Sequence, residues 1–360
     1  GHVFCDFGQS FIVYDKDGEE PVTSQVKEIL PTNPATVNVD ASIGMHGLES
    51  GDWVKIERVK GADGSIIRST QEYEVEVTNE YSFRMLGCDL SNCEEAATQG
   101  YVKQVKRSSK ISFWPLRKML RHPEESYDNV TDEGKADRPP LLHLAFRALA
   151  AYQDRHGNRL PNPGHRKQVK EVVDLAHALD RDGIMQAVPD AKRIVANFAS
   201  GSRAILSPMC AIFGGIVGQE ILKAITGKQM PIKGFAFFDS EECLPPRIPD
   251  EIQLRPTLRS RSDSQRAVFG EIAQTNIEQQ RFLLAGAGAI GSEVLKNWAM
   301  MGLGSSPDSG CVHIVDPDRV TKSNLSRQLL FRDNDIGQFK TETAASAARA
   351  INSSMNIAVY

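Results

Sequence analysis

Three glycines late in the chain have the spacing of a phosphate-binding loop. Gly286, Gly288 and Gly291 follow the apolar run RFLL and precede the helical pattern SEVLKNWAMMG. Such a loop turns tightly, lets the backbone approach a phosphate, and offers the unpaired N–H groups of a helix start to an anion. The pattern G-x-G-x-x-G alone usually indicates a dinucleotide site. The alternative is a glycine turn in a plain strand–helix unit that binds nothing.

Two acids follow the next apolar run, CVHIVD. Asp316 ends this run, at the position where an acid that binds ribose hydroxyls is expected, and Asp318 comes two residues later. The second carboxylate has no role in NAD binding. It could hold Mg²⁺, which proteins usually bind through one or two carboxylates together with phosphate oxygens.

Two basic and two amide side chains follow these acids in the sequence. Arg327 and Lys340 are expected on the same side of the sheet, with Asn324 and Gln328 nearby. Hydride transfer needs no such pair of cations, whereas cleavage between the α- and β-phosphates of ATP builds negative charge that cations and a metal offset. The residues therefore predict adenylation of a carboxylate, without a covalent protein nucleophile in that step. For each cation alone, the alternative is a solvated surface position.

The composition is that of an ordinary soluble protein. Among 360 residues, 41% are hydrophobic and 24% charged, and the net charge of −4 gives no basic excess for nucleic-acid binding. The six cysteines form no C-x-x-C pair, which favours free thiols in a reducing compartment over disulfides or zinc: Cys5, Cys88, Cys93, Cys210, Cys243 and Cys311. The longest apolar run, around Met209–Val217, is expected to be too short and glycine-rich to span a bilayer.

The first third of the chain is rich in predicted strands. Short β-branched or aromatic runs between Val3 and Ser112, separated by Gly, Asp and Asn, predict a small β-barrel or sandwich: FIVYD, TVNVD, DWVKIERV, YEVEV, YSFRML and YVKQV. The polar segment 115–138 is predicted to be a linker. A helical period follows from Pro139 and predicts a helical bundle over about 112–199, with one face made of Leu142, Ala145, Phe146, Leu149 and Tyr152.

The remaining pattern alternates helices and strands. SPMCAIFGGIVGQEILKAITGK is apolar on nearly all sides, so we expect a buried helix, followed by the strand GFAFFD. The proline-rich stretch 245–256 is predicted to cross between domains. After a partly helical lead-in at 262–280, the runs FLLAG, CVHIVD and NIAVY predict three parallel strands, with SEVLKNWAMMG and KTETAASAARAIN as helices between them.

These motifs resemble a known family. GAGAIGSEVLKNWAMMGLG, VDPDRVTKSNLSRQLLFR and GQFKTETAA resemble the adenylation domain of ubiquitin-activating enzymes and, more distantly, the bacterial adenylating proteins of molybdenum-cofactor and thiamine synthesis. VFCDFGQSFIVYDKDGEEP, HGLESGDWV and KISFWPL resemble the family's first catalytic-cysteine half-domain. SPMCAIFGGIVGQEILKAITGKQMPI and FFDSEECLP resemble the end of its inactive adenylation half.

The resemblance implies a multidomain α/β-plus-β fold: a β-barrel-like module, a helical bundle and a Rossmann-like (ThiF-type) parallel sheet, incomplete at both ends. It assigns 1–111 to the first catalytic-cysteine half-domain, with 1–8 continuing from the inactive half. It then assigns 112–199 to a four-helix bundle, 200–252 to the end of the inactive half and 253–360 to the start of the active, ATP-binding half. Both termini suggest an internal fragment.

The resemblance also implies roles for individual residues. Asp316 would bind ribose, Asp318 would serve Mg²⁺, and Arg327 and Lys340 would be the catalytic residues. The implied nucleotide contacts are Gly286, Gly288, Ala289, Gly291, Asp316, Asn324, Arg327, Gln328 and Lys340. None of the six cysteines stands in the family's proline-x-cysteine-threonine context, so the thioester cysteine is expected outside this chain and the chain alone is expected to be inactive.

The implied reaction is activation of ubiquitin with ATP, followed in the parent enzyme by thioester formation and transfer to a conjugating enzyme, in the cytoplasm and nucleus. No nucleic-acid or membrane partner is expected. Three alternatives stay open at this stage: activation of another ubiquitin-like protein, an NAD-dependent oxidoreductase fragment, and a non-enzymatic binding module. Asp318, Arg327 and Lys340 argue against the oxidoreductase.

Overall fold

The computed structural model describes residues 1–60, 66–67, 71–124, 133–244 and 260–360. The described chain forms two units. The first comprises Gly1–Phe4, Arg117–Gly218 and Lys233–Tyr360, and the second comprises Cys5–Leu116 and Gln219–Ile232. The predicted crossing segment 245–256 and the predicted boundary between residues 252 and 253 lie outside the described residues, as does part of the predicted linker 115–138.

The strands of the described chain are β1 (His2–Cys5), β2 (Phe11–Val13), β3 (Thr23–Leu30), β4 (Ala35–Val39), β5 (Trp53–Glu57), β6 (Val59–Lys60), β7 (Ile66–Ile67), β8 (Glu72–Asn79), β9 (Ser82–Leu86), β10 (Ala97–Thr98), β11 (Tyr101–Val105), β12 (Ser109–Ile111), β13 (Gly234–Phe237), β14 (Arg281–Ala285), β15 (Cys311–Val315) and β16 (Ile357–Val359). The helices are α1 (Leu116–Met119), α2 (Arg138–Arg155), α3 (Arg166–Leu179), α4 (Ile184–Ala187), α5 (Ala191–Ser200), α6 (Ser207–Thr226), α7 (Asp263–Phe269), α8 (Glu271–Gln279), α9 (Ala289–Met301) and α10 (Lys340–Ile351).

The second unit contains a closed barrel of six antiparallel strands. Their order is β11-β5-β8-β9-β4-β3, and β3 pairs again with β11 to close the ring. Inward side chains such as Val37, Val54 and Phe83 are completely buried and fill the interior. The β-rich prediction is confirmed, and the module is a barrel rather than a sandwich.

His46 organises a loop of this barrel. Its ring is buried, Nε2 lies 2.7 Å from the carbonyl oxygen of Asn79, and the N–H of Leu48 donates to Nδ1 over 3.0 Å. Both ring nitrogens are therefore occupied by the backbone, which leaves the side chain a structural role.

In the first unit, α2, α3 and α5 pack together with the short α4. Leu141, Ala148, Val172, Ala176 and Val195 are completely buried at their centre. The predicted face of α2 is confirmed, because Leu142, Ala145, Leu149 and Tyr152 are buried and Phe146 is half-buried.

The last hundred residues form a three-stranded parallel sheet in the order β14-β15-β16. The pairs Leu284–Ile314 and Ile314–Val359 fix its register. Its three strands and the helices α9 and α10 confirm the predicted pattern. Helices α9 and α10 pack with one face of the sheet in a single core, whereas Leu283 and Val315 on the other face are exposed.

Helix α6 corrects two expectations. The predicted buried helix is largely exposed, with Glu220 as its buried residue, because the described parts of the chain do not cover its apolar side chains Ile212, Val217, Ile221, Leu222 and Ile225. Its 20 residues also make it long and apolar enough to cross a membrane by length and composition, a test that core helices of soluble proteins pass as well.

The cysteines of the chain are free thiols in different surroundings. Cys5 is buried, and burial raises the pKa of its thiol to about 11. Cys210 lies on α6, the helix predicted to be buried, and is exposed like most of that helix.

Gly100, the residue before β11, occupies a position where the barrel has no space for a side chain. We expect Gly100→Ala to cost about 3 kcal/mol of unfolding free energy, because its Cβ would lie 2.7 Å from the backbone of Arg58 at a φ of +87°. Gly87→Ala is the control, since its φ is +78° but, apart from its chain neighbours, no atom in the described part of the protein lies within 4 Å of the added Cβ. Urea unfolding measures both, and equal losses would contradict the packing argument.

A buried histidine of α2 makes the first unit sensitive to acid. Burial lowers the pKa of His143 to about 4, with Arg147 and His2 adding to the effect, while its contact with the carbonyl of Leu120 opposes it. His143 therefore binds a proton near pH 6.5 in the unfolded chain but only near pH 4 in the folded chain. The contribution of His143 to the unfolding free energy is fully present above pH 6.5 and falls by roughly 2 kcal/mol as the pH drops from 6.5 to 4.

His143→Gln keeps a donor for the carbonyl and removes the titrating ring, so we expect the unfolding free energy to depend less on pH in this range. His177→Gln, an exposed position on α3, should keep the wild-type pH dependence. The measurement is urea unfolding at half-unit pH steps, and identical slopes in the two variants would show that His143 is not responsible.

Candidate nucleotide-binding site

The glycine loop joins the end of β14 to the start of α9. The N–H of Gly286 donates to the carbonyl of Val315 over 2.8 Å, and this glycine has a φ of +98°. A Cβ on Gly291 would lie 2.0 Å from the carbonyl oxygen of Gly286, so only glycine lets the helix start pack against the loop. Apart from the chain neighbours of each glycine, no atom of the described residues lies within 4 Å of the Cβ positions of Gly286 and Gly288, which leaves this side of the loop open to a ligand.

Asp316 is buried and holds the loop in place. Its Oδ2 accepts a hydrogen bond from the N–H of Ala287 at 2.7 Å, and its Oδ1 accepts one from the N–H of Asp318 at 2.8 Å. A carboxylate has about four lone-pair positions, so both oxygens can still accept from ribose hydroxyls.

Lys340 and Asp318 form an ion pair beside the loop. Nζ of Lys340 donates to Oδ2 of Asp318 over 2.8 Å, with the lysine side chain 9% exposed and the aspartate side chain 66% exposed. Asp318 is two residues from Asp316, so a continuous series of contacts runs from the loop to the ammonium group.

The backbone brings this pair together across 22 residues. The segment after β15 runs antiparallel to the segment before α10: the N–H of Val320 donates to Gln338, and those of Gly337 and Lys340 donate to Val320 and Asp318. The guanidinium of Arg319 also lies 3.8 Å from the ring centre of Phe339. The first residue of α10 is thus fixed next to the second acid.

Asn324 and Arg327 have local partners in this structure. Asn324 is buried and its Oδ1 accepts from the N–H of Thr321 at 2.9 Å, forming a capping box at a 3₁₀ helix, Lys322–Ser326. The side chain of Arg327 donates to the carbonyl of Ser323 over 2.9 Å. No hydrogen bond among the described residues joins either side chain to Asp316, Asp318 or Lys340.

Gln328 is buried, and its Oε1 has no hydrogen-bond partner in the described part of the chain. A buried acceptor without a donor is costly, so this amide is suited to a ligand that donates.

Sequence reasoning missed the structural roles of Ala287 and Thr321. The backbone donor of Ala287 has no sequence signal. Thr321 does have one, because Thr-x-x-Asn is close to the capping-box pattern at a helix start.

A metal ion here would depend on few protein ligands. Within the described residues, no group of three His, Cys, Asp or Glu side chains could hold a metal. The exposed carboxylate of Asp318 fits Mg²⁺ as a single protein ligand, with phosphate oxygens and water completing the shell.

A separate open cleft of about 680 Å³ lies along α9. Its lining comes from α6, α7, α9 and the residues just before α6 and α7. It includes Ser207, Arg261, Gln265, Lys296 and Asn297, but none of the glycine-loop residues. The candidate site is therefore the open edge of the sheet rather than this cleft.

Comparison with known proteins gives three family models in chain order. Residues 32–106 match the ubiquitin-activating enzyme E1 FCCH domain, 107–180 match the ubiquitin-activating enzyme E1 four-helix bundle, and 262–360 match the ThiF family. The candidate site falls within the ThiF region, five of the six barrel strands fall within the FCCH region, and α2 and α3 fall within the four-helix-bundle region.

Similar proteins cover nearly the whole chain. "Ubiquitin-activating enzyme E1 2" of Triticum aestivum is 40% identical over 99% of this chain and 33% of its own length. "Ubiquitin-like modifier-activating enzyme 1" of Homo sapiens is 38% identical over 98% of this chain and 33% of its own. The chain thus spans about a third of the length of these relatives. Among solved structures, E. coli MccB with ATP is 25% identical over 31% of this chain and 33% of that one, with a TM-score of 0.28.

The two glycines of the loop should respond differently to a methyl group. We expect Gly291→Ala to cost about 3 kcal/mol of unfolding free energy, because the methyl group would displace the carbonyl of Gly286. Gly288→Ala should change stability by less than about 1 kcal/mol, since its φ is negative and the added Cβ meets open space. Urea unfolding measures both variants, and a Gly288→Ala variant as unstable as Gly291→Ala would contradict the described geometry.

Proposed function

We propose that this chain, which belongs to the ubiquitin-activating enzyme E1 family, binds ATP at the glycine loop and takes part in adenylating the C-terminal carboxylate of ubiquitin. The observation that carries the proposal is the series of contacts joining an open glycine loop to Asp316, Asp318 and Lys340. The loop, both acids and the start of α10 lie at the carboxyl ends of the parallel strands, where open α/β sheets bind their ligands.

The loop would receive the triphosphate. Its open side and the unpaired N–H groups at the start of α9 suit an anion, and the exposed Ile290 leaves that helix end accessible. Asp316 would accept hydrogen bonds from the ribose hydroxyls while it continues to hold Ala287. The unpaired Oε1 of Gln328 would accept a hydrogen bond from the nucleotide or from water bound with it.

The cations would act on the charge that develops in the reaction. A carboxylate oxygen of the substrate attacks the α-phosphorus, the bond to the bridging oxygen of pyrophosphate breaks, and an acyl adenylate forms. Lys340, and Arg327 once its exposed side chain leaves Ser323, would offset the charge on the α-phosphoryl oxygens and on pyrophosphate. Mg²⁺, when bound, would supply further neutralisation of the phosphates, with Asp318 as its protein ligand.

The proposed parent reaction continues with thioester formation on an enzyme cysteine and transfer to a conjugating enzyme, in the cytoplasm and nucleus. Six free thiols without a C-x-x-C pair suit a reducing compartment. Ubiquitin is proposed over other ubiquitin-like proteins because the E1 FCCH and four-helix-bundle models both match this chain.

The ligand choice is tested by thermal unfolding of the 360-residue chain. We expect ATP with Mg²⁺ to raise the melting temperature by several degrees at saturating ligand, and NAD to have no effect. Gly288→Ala should lose most of the ATP response, because its methyl group occupies the space that a phosphate needs. A larger shift with NAD than with ATP would contradict the proposal and favour the oxidoreductase alternative.

The reaction itself is tested in the longer protein to which this segment is assigned, by exchange of labelled pyrophosphate into ATP. Exchange should require ubiquitin and fall roughly 100-fold or more in Arg327→Ala. Unchanged exchange in this variant would leave the site with a binding role only, and exchange driven better by another ubiquitin-like protein would change the substrate.

A further inference from the structure

The position of Lys340 creates an electrostatic demand that the fold must meet. It is the first residue of α10 and is buried, at a helix end that carries partial positive charge. A buried ammonium group is stable only with a counter-charge. In the described part of the chain, Asp318 supplies that charge at 2.8 Å.

The fold forces this pairing rather than leaving it to chance. The N–H of Lys340 donates to the carbonyl of Asp318 over 3.0 Å, and the neighbouring Val320 and Gln338 are hydrogen-bonded in the same antiparallel segment. Because the two backbones are fixed to each other, the side chains meet with little further loss of conformational freedom.

The two partners differ in how easily they can separate. The side chain of Asp318 is 66% exposed and can turn into water, whereas that of Lys340 is 9% exposed and cannot. The anion is therefore the exchangeable member. The N–H of Asp318 is hydrogen-bonded to Asp316, which also holds Ala287 of the loop, so the exchange would occur next to the open phosphate site.

We propose that Asp318 is a stand-in counter-ion: it neutralises Lys340 until the polyphosphate of the nucleotide takes its place, and the released carboxylate then becomes a ligand for the accompanying cation. This proposal rests on the proposed ATP site and makes Asp318 a positioning residue for Lys340. It couples the binding of polyphosphate and Mg²⁺. Polyphosphate without a metal displaces the Asp318 carboxylate and leaves it without a new partner, whereas the magnesium complex supplies the metal ion as that partner.

The coupling gives a test on the wild-type chain that needs no substitution. Isothermal titration calorimetry would follow Mg²⁺ alone, sodium tripolyphosphate alone and the magnesium complex of tripolyphosphate. We expect no binding of Mg²⁺ alone at this site at millimolar concentration, since Asp318 is engaged, and at least tenfold tighter binding of the magnesium complex than of metal-free tripolyphosphate. Equal affinities for the two forms of tripolyphosphate would overturn the proposal.

Asp318→Asn separates the exchange from general charge effects. We expect it to bind metal-free tripolyphosphate about tenfold more tightly than wild type, because Lys340 is no longer neutralised, and to lose most of the gain from Mg²⁺. Glu342→Gln removes the same charge from an exposed position two residues from Lys340 and should change the affinity less than threefold. Equal effects of the two substitutions, or weaker binding by Asp318→Asn, would overturn the proposal.

Lys340→Met completes a double-mutant cycle with Asp318→Asn. In the Lys340→Met background, adding Asp318→Asn should no longer increase the affinity for tripolyphosphate. An increase that persists would show that the released cation is not Lys340. Failure of the proposed function looks different: wild type would bind neither ATP nor tripolyphosphate. ATP binding with an unchanged metal dependence in Asp318→Asn would overturn the exchange alone.

Discussion

The close approach of α9 to the glycine loop sets the geometry of the site. At Gly291 the carbonyl oxygen of Gly286 occupies the space in which any other residue would place its Cβ, 2.0 Å away. Within the loop held by this contact, the N–H of Ala287 donates to Asp316, which also accepts from the N–H of Asp318. The loop, the two carboxylates and, through Asp318, the ammonium group of Lys340 are therefore joined by one series of contacts.

The core beneath the site provides the rigidity that this arrangement needs. Leu295 and Ala299 on α9 and Ala344 on α10 are completely buried, as are Val312 and Ile314 of the central strand. Small residues on α10 let it lie close to the sheet, so Lys340 at its first position is carried to the strand ends together with the helix. Burial of this lysine costs free energy, and that cost is what makes an anion necessary at this position. Core packing and ligand chemistry are thus coupled through one helix.

Features fixed by short sequence patterns were predictable, and those fixed by tertiary contacts were not. The glycine spacing, the three apolar runs of the last sheet and the helical period of α2 identified their elements. β3 was missed because a β-bulge between Val26 and Glu28 and the buried Ser24 break its alternation. The predicted burial of α6 was wrong, because an apolar sequence favours contact with other elements but does not show that such elements are present. The pairing of Lys340 with Asp318 arises from an antiparallel contact of two loops, for which the sequence has no periodic signal.

The candidate site lies in the open parallel sheet of the first unit, and the way each sheet is filled accounts for this placement. The six-stranded barrel of the second unit closes on itself, and buried side chains fill its interior. The parallel sheet is open, with helices on one face and exposed Leu283 and Val315 on the other. Parallel sheets are normally covered on both faces. Both exposed side chains lie on the strands that carry the loop and Asp316, so whatever covers that face also stabilises the strand ends that hold the site. Affinity for the nucleotide should therefore rise with coverage of the sheet, even without a new contact to the ligand.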